Sequence, residues 1–231
     1  MNIHGFYKLT LLDYPEHIAC SIFTGGCNFR CPFCHNASLV THITSDTLLQ
    51  ENNILAYLNT RVGILEGVCI TGGEPTLQPD LKEFLVKLKA LGFLIKLDTN
   101  GTNPILLKEL IQEKLVDYIA MDIKNSKDKY EKTIGISPFD ISLVSQSIRI
   151  IIDSGIAHEF RTTVVKELHT LEDFRDISTM IAGCSHYYLQ AFVDSGDLIQ
   201  KDMSGLSKQE MKELIEKVRV IIPNVEGRGI E

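Results

Sequence analysis

Short β-branched runs alternate with longer amphipathic stretches along almost the whole chain, and few folds accommodate that rhythm. Apolar runs over 18–24, 67–71, 93–98, 116–123, 158–165 and 186–192 predict strands. Between and after them, residues 80–91, 104–114, 139–154, 171–181 and 208–221 carry apolar side chains at helical spacing. Another helix is predicted from the N-cap signal Ser45-Asp46, with Leu48, Leu49, Ile54, Leu55 and Leu58 on its apolar face. Pro79, Pro104 and Pro138 stand at or just before helix starts, and Gly92 and Gly155 at helix ends, where their backbone preferences suit them. Residues 2–10 mix apolar and polar positions, as an edge strand would, before a turn at Asp13-Tyr14-Pro15. Six or so β/α units in succession predict a parallel sheet with its helices outside, curled by right-handed crossovers toward a barrel. A closed eight-stranded barrel takes about 250 residues and two more units. A partial (β/α)6 barrel, open on one side, is therefore expected.

Length and composition narrow the setting. At 231 residues one domain spanning 1–231 is expected, with a short N-terminal extension over 1–17. No apolar run approaches the ~20 residues of a membrane span, and the start Met1-Asn2-Ile3-His4-Gly5 lacks an export signal's basic and apolar regions. A cytoplasmic protein without a membrane partner is expected. A net charge of -7 argues against a nucleic-acid duplex as partner. Six cysteines are too sparse for a disulfide framework.

Three of those cysteines sit together. Cys27, Cys31 and Cys34 follow the first buried strand in a C-x3-C-x2-C loop spanning 25–36. Cysteine binds metal as thiolate, and three soft thiolates so close in sequence can wrap one face of an iron-sulfur cube, leaving one iron open for catalysis. A zinc knob with His35 as fourth ligand is the alternative. No second ligand pair accompanies the triplet, since Cys20, Cys69 and Cys184 are scattered singly. Phe33, between the last two cysteines, is placed to shield a cluster or touch its ligand. Cys20 and Cys69 read as small core residues.

In α/β folds ligands gather at the carboxyl ends of strands. There the chain places Gly72-Gly73-Glu74-Pro75, whose glycines would let backbone approach a ligand and whose carboxylate could hold an ammonium group. Asp98-Thr99 and Asp122-Ile123-Lys124 end the next two strands. Either Asp122 pairs internally with Lys124, or Asp98, Thr99 and Asp122 hold a monovalent cation beside a ligand that Lys124 contacts directly. Arg161 interrupts an apolar strand and needs an anionic partner, which a salt bridge to Glu74 or Asp122 would supply. Asp13 reads as a turn-forming side chain.

The cysteine loop, with an aromatic before its third cysteine, resembles the radical S-adenosylmethionine (SAM) superfamily. Gly26 to Asn36 is similar to the activating enzymes of glycyl radical proteins. The likeness continues through Leu-Asp-Tyr-Pro, Thr-Gly-Gly-Glu-Pro-Thr-Leu-Gln, Leu-Asp-Thr-Asn-Gly, Ala-Met-Asp-Ile-Lys and Glu-Phe-Arg-Thr-Thr-Val-Val, and is strongest toward anaerobic ribonucleoside-triphosphate reductase activating proteins. The resemblance implies a [4Fe-4S] cluster on Cys27, Cys31 and Cys34, and SAM on its open iron. A cofactor site of Phe33, Cys34, His35, Gly73, Glu74, Asp98, Asp122, Ile123, Lys124, Arg161 and Thr163 is implied with it. It also implies a radical SAM type of partial barrel, an oxidoreductase that forms a 5'-deoxyadenosyl radical, a glycyl radical enzyme as protein substrate, and a flavodoxin or ferredoxin electron donor. In relatives an aspartate at Asp13 lies near the partner's glycine loop. Where relatives carry a histidine on strand six this chain has none, and Gln190 stands in reach of that role. Two alternatives stay open: a radical SAM enzyme acting on a metabolite, such as a deazaguanine-type synthase, and a non-enzymatic metal or electron-transfer module.

Overall fold

The computed structural model describes residues 1–194 and 196–230. Eight strands form one sheet in chain order: β1 (Ile3–Thr10), β2 (Ala19–Thr24), β3 (Gly67–Gly72), β4 (Leu94–Thr99), β5 (Tyr118–Asp122), β6 (Ala157–Val164), β7 (Tyr187–Ala191) and β8 (Val225–Arg228). β1 runs antiparallel to β2, and every later neighbour pair is parallel. β1 and β8 are the two edges, so the sheet curls without closing. This is the expected partial barrel, with an extra strand at each side of its six central units.

The helices are α1 (Ser38–Thr41), α2 (Glu51–Asn59), α3 (Leu81–Ala90), α4 (Pro104–Gln112), α5 (Tyr130–Ile134), α6 (Ser142–Ser154), α7 (Leu171–Met180) and α8 (Lys208–Arg219). Their starts follow from capping. Asn103 accepts from the Leu106 amide ahead of Pro104, and Thr170/Asp173 and Ser207/Glu210 form reciprocal capping boxes on α7 and α8. Leu81, Phe84, Leu85 and Leu88 of α3 share one face and are buried, joining Ile70, Ile95 and Leu97 of the sheet in a continuous apolar core. No helix among the described residues is long and apolar enough to cross a membrane.

Successive strand residues point to opposite faces. The outer face buries Ile22, Ile70, Leu97, Ile119 and Phe160 under the helices. The inner face carries Ser21, Cys69, Lys96, Asp98, Asp122, Glu159, Arg161 and Gln190. Polar side chains on the inner face of apolar strands are what make a site here. The expected helix after Ser45-Asp46 begins later: Ser45–Thr47 is a single 3-10 turn and α2 starts at Glu51. β8 escaped sequence reading because Val-Glu-Gly-Arg offers one apolar residue and no alternation.

Candidate functional site

The cysteine loop leaves the end of β2 and is braced by backbone on several sides. The Gly25 amide donates to the Asn2 carbonyl at 2.9 Å, Gly26 to Leu39 at 2.8 Å, and Arg30 to Ile134 at 2.8 Å. The Arg30 guanidinium turns back onto the carbonyls of Cys27 (2.6 Å) and Phe29 (2.7 Å), and Phe29 packs edge-on against Tyr130 and Phe139. From β3, the Gly73 amide reaches the Thr24 carbonyl at 2.8 Å and the Glu74 amide reaches Gly26 at 2.7 Å. A side-chain carbon on Gly73 would overlap the Gly26 carbonyl. The expectation that these glycines admit a ligand is thus amended: Gly73 is small because the cysteine loop passes against it.

The three thiols line one cavity of about 240 Å³. Phe33, His35, Gly73, Glu74, Asp98, Thr99, Asp122, Lys124, Arg161, Thr163 and Gln190 line it too. Residues from six neighbouring strands, β2 to β7, and the loops that follow them therefore meet at one place. Among the described residues no three His, Cys, Asp or Glu side chains close on a point as ligands of a single ion. A four-iron cube would give each of the three thiolates its own iron, so the thiols need not meet at one point. They remain close enough to raise one another's pKa. His35 lines the same cavity and stacks on Phe192 with centroids 6.2 Å apart. Burial pushes the Cys27 thiol up to about 11 and Cys31 to about 12. Iron would have to displace those protons, which is the usual coupling between thiol ionisation and metal binding.

Glu74 is fully buried and receives four hydrogen bonds: from the Thr76 amide (3.0 Å) and hydroxyl (2.6 Å), the Thr99 hydroxyl (2.8 Å) and the Asn100 amide (2.6 Å). Burial raises its pKa against those donors. A buried carboxylate with neutral donors can still take an ammonium group.

Across the cavity lies a chain of charges. Lys96 pairs with Asp98, Arg161 joins Asp98 (3.3 Å) to Asp122 (3.0 Å), and Lys124 pairs with Asp122 at 2.8 Å. Arg161 also approaches Glu159 (3.8 Å), which Arg228 holds with two bonds of 2.7 and 2.6 Å. The internal Asp122–Lys124 pairing is thus realised, and Arg161 takes Asp122 and not Glu74 as partner. The proposed cation ligands Asp98, Thr99 and Asp122 all line the cavity, and each is already held by a protein partner. Thr99 points to the opposite face from Asp98 and serves Glu74, while protonated side chains already neutralise both aspartates.

Ile123 is a second correction. Its side chain is in the apolar core, and its carbonyl accepts from Thr162 at 2.7 Å. Cys69 is fully buried, as expected of a small core residue, on the inner face of the sheet with its Sγ 3.9 Å from Lys96 Nζ and 3.8 Å from Asp98. Asp13 accepts from the Ser21 hydroxyl, not from a turn amide. Sequence reading missed Asn100, whose side chain reaches Asn28 at 2.8 Å and lies 3.9 Å from Cys27 Sγ. It missed Lys96 as well, although the alternation Lys96, Asp98 on a buried strand was a usable signal.

The charge chain sets an acid response. Burial would raise the carboxyls of Asp98, Asp122 and Glu159, but neighbouring cations outweigh it and hold all three below their ordinary values. A depressed carboxyl stabilises the fold above its unfolded pKa of about 4 and loses that contribution as pH falls through the folded value. Glu74, raised, acts in the opposite sense. With three groups against one, the urea midpoint is expected to fall below about pH 4, after a smaller loss below about pH 6.5 where burial keeps His35 and His169 from protonating in the fold. A midpoint that rises on acidification would contradict the ion-pair assignment.

The sequence profile described as the radical SAM superfamily matches residues 21–181. A Methanocaldococcus jannaschii protein provisionally named a glycyl-radical enzyme activating enzyme is 34% identical over 99% of this chain and 96% of its own length. A Saccharolobus solfataricus protein provisionally named a GTP 3',8-cyclase is 33% identical over 85% of this chain and 64% of its own. In three dimensions the chain is similar to Streptococcus suis SuiB bound to S-adenosylmethionine, with a TM-score of 0.71 and 16% identity over 88% of this chain. It spans 48% of SuiB, so that likeness speaks for the fold. Radical SAM enzymes use a [4Fe-4S] cluster and SAM, and three thiols facing a cavity with buried carboxylates and a lysine are a donor set that fits both. With a profile match over 21–181 and a relative spanning the chain end to end, the protein belongs to the radical SAM superfamily.

Proposed function

We propose that this radical SAM enzyme is an oxidoreductase of the activase type, acting in the cytoplasm on a glycyl radical enzyme, specifically an anaerobic ribonucleoside-triphosphate reductase. The observation that carries the reading is the 34% identity to a relative named for glycyl-radical enzyme activation, because it extends over 99% of one chain and 96% of the other. Cys27, Cys31 and Cys34 would hold the cluster, which would supply the electron for reductive cleavage of SAM to methionine and a 5'-deoxyadenosyl radical able to take a hydrogen atom from a partner glycine. The electron would come from a flavodoxin or ferredoxin.

The chain's own part is placement and charge. Phe33, at the cavity wall and buried, keeps water from the thiol side. Glu74 is held rigid by its four donors and offers its charge to the SAM ammonium. Lys124 keeps two further N–H donors beyond its bond to Asp122, available to the SAM carboxylate. Asp98 and Asp122 fix Arg161, which with Thr163 and Gln190 borders the space for the nucleoside.

A metabolite substrate is the second reading, favoured by the cyclase relative. Anaerobic mixing with SAM, reductant and candidate glycyl radical proteins separates the two. The activase reading expects a glycyl radical signal in electron paramagnetic resonance that needs both SAM and reductant. SAM cleavage without such a signal, whichever glycyl radical protein is added, would favour the metabolite.

A further inference from the structure

Cys27 receives two hydrogen bonds of different origin. The Phe29 amide, two residues on in the same loop, donates to its Sγ at 3.3 Å, and Asn100, just after β4, brings its side-chain Nδ2 to 3.9 Å from the same sulfur. The first bond is local to the loop. The second joins two β/α units, and its direction is fixed by backbone. The Asn100 Oδ1 accepts from the Thr102 amide at 3.0 Å and from the Thr102 hydroxyl at 2.7 Å, and a backbone N–H can only donate, so the carboxamide cannot be turned over. Its NH2 group therefore faces the cysteine loop. One hydrogen goes to Asn28 Oδ1 at 2.8 Å, and Asn28 closes the ring by donating to the Thr102 hydroxyl at 2.9 Å. The other hydrogen is left for Cys27 Sγ.

Asn100 is buried at the wall of the thiol cavity, so water competes little for that hydrogen. A thiol is a weak acceptor and a thiolate a strong one, which makes the bond tighten when Cys27 gives up its proton to iron. Hydrogen bonds to the sulfurs are among the factors that set a cluster's reduction potential, because an added electron raises the negative charge on the sulfurs and a donor stabilises it. The setting makes such a donor useful. Glu74 is buried close enough to act on the Cys27 sulfur, and its carboxylate charge opposes an incoming electron. The main-chain amide of Asn100 holds that same carboxylate at 2.6 Å. One residue thus serves both groups, with its side chain on the sulfur and its backbone on Glu74.

We propose that Asn100 is a positioning residue that raises the reduction potential of the cluster by donating an N–H···S bond to the Cys27 thiolate. The role is independent of the substrate and stands whether the radical passes to a protein glycine or to a metabolite. Asn100→Leu, of similar size, removes the donor while the main-chain bond to Glu74 stays. Reconstituted protein without SAM is titrated across a series of low-potential mediators, and the reduced cluster is counted by electron paramagnetic resonance. At a fixed ambient potential the ratio of reduced to oxidised cluster should fall roughly threefold or more in Asn100→Leu, a shift of about 30 mV for one electron. Asn100→Ala should do the same. Asn28→Ala, which opens the ring but leaves the Asn100 carboxamide held by Thr102, should keep the wild-type potential. An unchanged potential in both Asn100 variants would overturn the proposal. An equal shift in Asn28→Ala would overturn it as well, by tracing the effect to a loosened loop and not to the bond. Complete loss of iron from both Asn100 variants, with Asn28→Ala loaded, would make the residue a support for assembly in place of a setter of potential.

Discussion

Cys31→Ala is expected to abolish cluster assembly and SAM cleavage while leaving the fold in place. Cys31 is buried at the centre of the loop between Cys27 and Cys34, and the residues that follow it are fixed by the Cys34 N–H to Cys31 carbonyl bond at 3.0 Å. With two thiolates left, the cube loses one of its three cysteine corners, while His35 is stacked on Phe192 and Cys69 lies among Lys96 and Asp98. Removing one buried sulfur costs around 1 kcal/mol, or a few degrees in Tm for a chain of this length. The measurement is iron and acid-labile sulfide per chain beside a thermal scan of the iron-free protein. About four of each are expected in the wild type. Retention of a full cluster and of cleavage in the variant would remove Cys31 from the ligand set.

Gly73→Ala should damage the same site without touching a ligand. The added methyl group would collide with the Gly26 carbonyl, which is backbone and cannot swing aside. Either the β3 turn or the cysteine loop must move, and both are pinned, by Gly73 N–H to Thr24 and Glu74 N–H to Gly26. Overpacking of this kind costs about 1–3 kcal/mol. The larger effect is on geometry: a shift of about 1 Å in a catalytic loop can cost on the order of a hundredfold in rate. SAM cleavage per reconstituted cluster is therefore expected to fall by that order, with iron binding weakened. Wild-type turnover in Gly73→Ala would show that the two loops are not mutually dependent.

Much of the site was legible because it depends on local pattern. Apolar runs broken by glycine located the strand ends, and in a parallel sheet all those ends lie on one side, so Cys27, Glu74, Asp98, Lys124 and Arg161 were bound to meet. What sequence could not supply was pairing across strands. Asp98 looked available for a cation because its link to Arg161 emerges only from the register of β4, β5 and β6, although Lys96, two positions away on the same strand, was legible from the alternation. The close approach of Gly73 to Gly26 could not be read because the two sit on different units. Ile123 was assigned by its place beside Lys124, yet a one-residue step along a strand turns the side chain to the opposite face. β8 stayed invisible since its stability comes from pairing with β7 and from Arg228 on Glu159, not from its own composition.

The claim everything else depends on is that the thiol triplet and the cavity beside it form one catalytic unit. Anaerobically reconstituted protein, given SAM and a low-potential reductant and followed by chromatography, tests it most directly. The account predicts 5'-deoxyadenosine and methionine in equal amounts, formed only with the cluster present. A fully loaded cluster that leaves SAM intact under those conditions would contradict it.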